Sequence, residues 1–152
     1  MKTLANQSEK EESLRRIALV TPGARARWGK MSAHQMMCHL CDSFRLALGE
    51  RQASPASGLF QRTVMKFGAL YVPLPWPHGI ATRPEMEQGV AGTPPLEFEK
   101  DRAELCALLE RFCAAGQTLA SVTHPIFGAM TVQEWMRWGY LHTDHHVRQF
   151  GA

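Results

Sequence analysis

The chain has 152 residues, 45% of them hydrophobic and 20% charged, with a formal net charge of +3, enough for one real core and a single domain over 1–152. Its lysines and arginines are scattered without a basic block, which argues against a nucleic-acid partner, and no apolar run reaches membrane-spanning length, so no membrane contact is expected. The opening MKTLANQSEKEESLRR lacks the apolar centre of a signal peptide, so the expected location is cytoplasmic.

In chain order, residues 4–20 begin charged and end in LRRIALV. Leu14, Ile17 and Ala18 recur at helical spacing, and Thr21, Pro22 and Gly23 end this first helix. Trp28, in the link that follows, is expected to cap one end of a bundle. Ser32 is a good N-cap for a second helix running to about Leu48, before Gly49. Met36, Met37, Leu40, Phe44, Ala47 and Leu48 form its apolar face. His39 lies at the edge of that face, while His34, about 140° away around the helix, is expected to be exposed or to meet another loop.

Residues 50–57 are polar and read as a loop. Residues 58–72 have a helical pattern in Leu59, Phe60, Val64, Phe67, Leu70 and Tyr71, interrupted by glycine. From Val72 to Pro95 the chain carries six prolines and reads as neither helix nor strand. A connection this long in a compact domain is usually functional. Its apolar residues Val72, Leu74, Trp76 and Ile80 predict that it covers an opening of the bundle or a partner subunit, with His78 solvated in a turn. A third helix is predicted from near Pro95 to Gly116, with Phe98, Arg102, Leu105, Leu109 and Phe112 on one stripe. Residues 117–130 form a loop in which His124 could reach the mouth of a site at the bundle end. Thr131 caps a fourth helix and Glu134 completes a capping box, with Gly151 closing the helix. Strand signals are nearly absent, so the fold class is all-α.

The four cysteines, Cys38, Cys41, Cys106 and Cys113, fall inside helical patterns. That argues against a disulfide scaffold. Cys38 and Cys41 form a CxxC, but away from a helix N-terminus, where thiolates are activated. They read as core or flank residues; a redox pair and a four-cysteine zinc site are the alternatives.

The last helix carries the strongest chemical signal. At about 100° per residue, Val132, Trp135, Met136, Gly139 and Phe150 share a face with His142 and His146, while His145 points away. A buried imidazole needs a hydrogen-bond partner or a metal. Two of them one turn apart can reach a single ion. One helix supplies only two such ligands, and the best third candidate is His39, although it sits at the edge of its stripe. Three imidazoles suit zinc, nickel, copper or iron. As supporting groups, Asp42 and Gln149 are placed to orient His39 and His146. Asp144 and Arg148 read as surface residues, Trp135 and Trp138 as core or pocket wall. No Asp, Glu or Cys stands out as a general base beside the pair.

The stretches MSAHQMMCHLCDSF and HPIFGAMTVQEWMRWGYLHTDHHVRQFG resemble the DinB-like superfamily, and the second is similar to a bacterial family of unknown function within it. The likeness spans helices two and four and the segments entering them. It implies an up-down four-helix bundle with a long irregular connection between helices two and three, often as a homodimer. It also implies a divalent metal, zinc or nickel first, on His39, His142 and His146. Related branches use low-molecular-weight thiols such as mycothiol or bacillithiol. The functions implied are a metal-dependent hydrolase or a thiol-dependent S-transferase acting on a small molecule. The alternative is a non-catalytic, metal-stabilised bundle serving in binding or stress response. A plainer reading has the histidines hydrogen-bonded in a core without metal.

Overall fold

The computed structural model describes residues 1–56 and 58–152; Ser57, in the predicted 50–57 loop, lies outside the described residues. The chain is predominantly helical. Its long helices are α1 (Gln7–Leu19), α2 (Ala33–Ala47), α4 (Phe98–Ala114) and α5 (Val132–Gln149), and the short α3 (Lys66–Tyr71) continues a π-helical turn at Gln61–Met65. Helix α2 packs on α4 and α1 on α5, with further contacts of α1 with α4 and of α2 with α5.

The helix starts follow from local chemistry. Ser32 Oγ accepts the Gln35 N–H while Gln35 Oε1 accepts the Ser32 N–H, and Thr131 and Glu134 repeat that exchange at the head of α5. Apolar stripes on the long helices then meet in one core, where Ile17, Phe44, Leu105, Leu109, Phe112 and Trp135 are fully buried. Gly139 lets α5 approach closely. A Cβ there would lie 2.8 Å from Phe112 Cε1 and 2.9 Å from Leu4 Cδ1.

Three segments differ from the sequence reading. Helix α4 begins at Phe98, not near Pro95, because Asp101 in its first turn reaches back to accept the Leu96 N–H at 3.1 Å. Residues 117–130 are more ordered than a plain loop. A 3₁₀ segment (Gly116–Ser121) leads into a small antiparallel hairpin, β1 (Thr123–His124) with β2 (Gly128–Ala129), whose turn uses Gly128 at φ +71°. Strands of two residues leave no alternation to detect in a sequence. The stretch 58–72 is largely helical, as its pattern suggested, but of its apolar positions Leu70 is buried while Phe60, Val64 and Phe67 are exposed.

The connection after α3 is a strap laid over α2 and α5, with one 3₁₀ turn at Pro84–Met86. It is tied down by charge. Asp42, fully buried on α2, accepts the Thr93 N–H at 2.8 Å, the Thr93 hydroxyl at 2.6 Å, Gln88 Nε2 at 3.1 Å and Arg51 Nη1 at 3.1 Å. Arg51 also donates to the carbonyls of Glu85 and Ala91. A chain without regular structure is thereby fixed at 85–93, directly over the edge of α2 that carries His39.

Candidate metal centre

His39 comes from α2, His142 and His146 from successive turns of α5. His39 Nε2 and His146 Nε2 each lie 3.2 Å from His142 Nε2, and the three ligand atoms lie within 4.8 Å of one another. Two nitrogens on one tetrahedral zinc, at 2.0–2.1 Å each, stand about 3.3 Å apart. The spacing of this cluster is therefore that of nitrogens able to share an ion. His39 and His146 are buried and His142 is half-buried.

Proton bookkeeping explains why the cluster invites a cation. His39 Nδ1 lies 3.0 Å from the Met86 carbonyl oxygen, which can only accept, so Nδ1 carries the proton. Gln149 Nε2 donates to the Trp28 carbonyl at 2.6 Å, which turns Gln149 Oε1 toward His146 Nδ1 at 3.1 Å. His146 therefore also carries its proton on Nδ1. Both Nε2 atoms then present lone pairs to His142 Nε2. A single N–H on His142 can satisfy only one of them, and a buried lone pair without a donor is costly. Burial lowers the pKa of all three imidazoles, and their mutual repulsion adds to this for His142 and His146. Three neutral rings with converging lone pairs can hold a metal ion.

The supporting groups only partly match the expectation. Gln149 orients His146, as its position one turn on suggested. Among the described residues Asp42 hydrogen-bonds no histidine, although its charge favours protonation of His39; it holds the strap whose Met86 carbonyl orients His39. Nothing local marked Met86, Gln88 or Thr93, which reach α2 from the irregular strap, or Arg51, which turns back to Asp42 from just past the end of α2. Gln149→Leu removes the acceptor for His146 Nδ1–H and the tie to Trp28. The expected result is a 10- to 100-fold weaker zinc affinity by competition with a chromophoric chelator, with the fold retained.

The other polar candidates fall elsewhere. Asp144 lies 2.6 Å from Arg16 and is half-buried rather than on the surface, whereas Arg148 is exposed. His34 meets not a loop but Asp101 on α4, at 2.6 Å. With Cys38 they form a second group of ligand-type atoms, but the Asp101 carboxylate there already gathers His34 Nε2, the Cys38 thiol and the Leu96 N–H. His145 lies outside the triad, edge-on to His146 at 5.1 Å. His78 is exposed, yet it stacks on Trp28 with centroids 3.9 Å apart. The cysteines are free, and the four-cysteine site is not among the groups able to hold an ion in the described residues. Burial pushes the Cys38 thiol to about 12 and Cys113 to about 11, and raises Cys41 and Cys106 as well. None is a ready thiolate, so the redox reading of Cys38 and Cys41 has no activated thiol behind it.

The triad opens onto a cavity of about 1010 Å³, walled by Trp28, Trp76, Trp138, Met86, Phe127 and His124. Trp138 packs against His142 at 4.9 Å, so it is pocket wall, whereas Trp135 is fully buried in the core. His124 is buried with its Nδ1 accepting two backbone N–H groups, and desolvation lowers its pKa to about 3. Between pH 6.5, the unfolded value, and about 3, the unfolded chain binds a proton at this residue that the folded chain refuses. Stability is therefore expected to fall as pH drops through that window. Urea midpoints measured from pH 7 to 4 check it, and a flat profile would be the contrary result.

The family model described as protein of unknown function (DUF1569) matches residues 3–152. No curated protein and no solved structure matches the chain.

Proposed function

The chain belongs to the DUF1569 family, and on that premise we propose a DinB-like helical bundle whose His39, His142 and His146 hold one zinc or nickel ion for chemistry on a small molecule. The observation that carries this reading is the convergence of three Nε2 atoms, with at least one unmatched lone pair, at the wall of a large aromatic cavity. An ion held by three imidazoles supplies a Lewis-acid centre that lowers the pKa of a water or thiol in its remaining position.

The protein's own groups divide the remaining work. Met86 and Gln149 fix the ring orientations of His39 and His146. Trp28 and Trp76 line the cavity beside the triad, with the Trp76 ring 5.9 Å from His142. Among the described residues no carboxylate joins the three Nε2 atoms as a base, and burial holds the cysteines protonated. The nucleophile is then best supplied from outside. This favours a low-molecular-weight thiol and S-transfer to a small electrophile over hydrolysis. A non-catalytic, metal-stabilised module is the second reading; the cavity beside the triad speaks against it, since a purely structural site is closed. The exposed stripe of Phe60, Val64, Phe67 and Tyr71 supports a homodimer through the π-helical turn and α3.

Elemental analysis after loading with zinc or nickel and dialysis tests the metal. Retention of less than about half an equivalent per chain would sink both metal readings. A screen of the loaded protein with mycothiol or bacillithiol and epoxides or chlorinated aromatics then separates the enzyme from the structural module. Turnover that requires both metal and thiol supports the transferase.

A further inference from the structure

His124 closes the β1–β2 hairpin by accepting, on Nδ1, the N–H groups of Ile126 and Phe127, each at 3.1 Å. An Asn, Asp or Ser oxygen does the same at turns and helix caps with a shorter side chain. Capping alone therefore gives no reason for an imidazole. What the ring adds is its far side. A nitrogen that accepts two N–H groups holds its lone pair, so the neutral ring carries its proton on Nε2. That N–H meets no acceptor among the described residues, and His124 lines the cavity.

The ring is also rigidly held. It stacks on Phe127 at 4.7 Å and stands edge-on to Trp138 at 5.5 Å. Trp138 in turn packs against His142, so one indole contacts both the His124 ring and the triad. Burial keeps the ring uncharged, in agreement with its lowered pKa. Of the charged residues lining the cavity, Lys30 and Glu87 are exposed and Arg83 donates to Ser54, and Lys66, whose charge is felt at His124, is paired with Glu134 at 2.8 Å. Around His124 the wall is aromatic, in Phe127 and Trp138, while the cavity as a whole also takes in polar side chains such as Gln35, Gln88 and His145.

We infer that His124 is the recognition donor of this cavity, its Nε2–H binding an oxygen acceptor on an uncharged, largely apolar small molecule. At His124 a cationic ligand would meet a donor and not an acceptor, and an anion would face a donor without charge. The inference rests on the cavity being the substrate site, and it holds with or without a bound ion.

The probes are acetophenone and α-methylstyrene, which have one shape but exchange a carbonyl oxygen for a methylene. Both are titrated by NMR into the metal-free wild-type chain and into His124→Asn and His124→Phe. Asn keeps an oxygen for the two backbone N–H groups but does not reach the cavity, and Phe keeps the ring volume. The wild type is expected to prefer acetophenone by about tenfold, the worth of one satisfied hydrogen bond. Each folded variant is expected to lose that preference while binding α-methylstyrene as before. Ring ¹⁵N spectra of the wild type are expected to show the Nε2–H form and to shift with acetophenone alone. A wild-type ratio near one, a preference retained in either variant, or binding of neither probe would overturn the assignment. Zinc uptake is measured on the same samples. A wild type that prefers acetophenone but takes up no zinc counts against the metal reading alone, and a wild type that takes up zinc but shows no preference counts against the role of His124 alone.

Discussion

His146→Ala is expected to abolish stoichiometric metal retention: a parent that keeps about one equivalent of zinc or nickel becomes a variant with under about a tenth after the same dialysis. The reason is geometric. His142 and His146 are held one turn apart by α5, and each Nε2 lies 3.2 Å from a neighbour in the triad. With His146 gone, two nitrogens on different helices remain, too few to retain the ion against dialysis. Alanine is the best helix former, so α5 itself should persist. Circular dichroism of the variant should match the parent. Zinc should raise the melting temperature of the parent in proportion to the logarithm of its concentration, since the ion binds only the folded triad. It should leave the variant's unchanged. Equal retention by parent and variant would place the ion elsewhere and remove the triad from the function.

Asp42→Ala is expected to be the most damaging single change to stability, about 3–5 kcal/mol by urea denaturation. Asp42 is fully buried, and its carboxylate is the common acceptor for Arg51, Gln88 and Thr93. Removing it leaves a guanidinium, an amide and a backbone N–H without their acceptor under the strap. Those groups must drag water in or expel the strap. The second effect is functional. Once 85–93 loosens, the Met86 carbonyl no longer fixes the tautomer of His39. Zinc affinity should then drop by about tenfold or more, although Asp42 hydrogen-bonds none of the three histidines. A loss under about 1 kcal/mol with unchanged affinity would mean that the strap stands without this carboxylate.

Much of this protein is legible in its amino-acid order, for reasons that are local. The two capping boxes rest on residues three apart, so Ser32 and Thr131 mark the starts of α2 and α5 without any tertiary help. The pairing of His142 with His146 is likewise set by helix geometry alone: positions four apart share a face wherever the helix packs. Gln149 was within reach of the same reasoning. His39 was only partly so, because whether a residue at the edge of a stripe is buried depends on what lies over that edge. Tertiary structure decided this through the strap, an irregular segment with no period to read. Its anchors join residues far apart in sequence: Arg51 reaches Glu85 and Ala91 across 34 and 40 positions, and Asp42 reaches Thr93 across 51. The same holds for His124, whose two ring nitrogens serve a turn and a cavity that exist only once the hairpin rests on α5. Sequence by itself determined the helices and one pair of ligands, because backbone periodicity is a property of neighbours. Only packing decided where the third ligand points and what covers it, because buried polar groups take their partners from wherever the folded chain brings them.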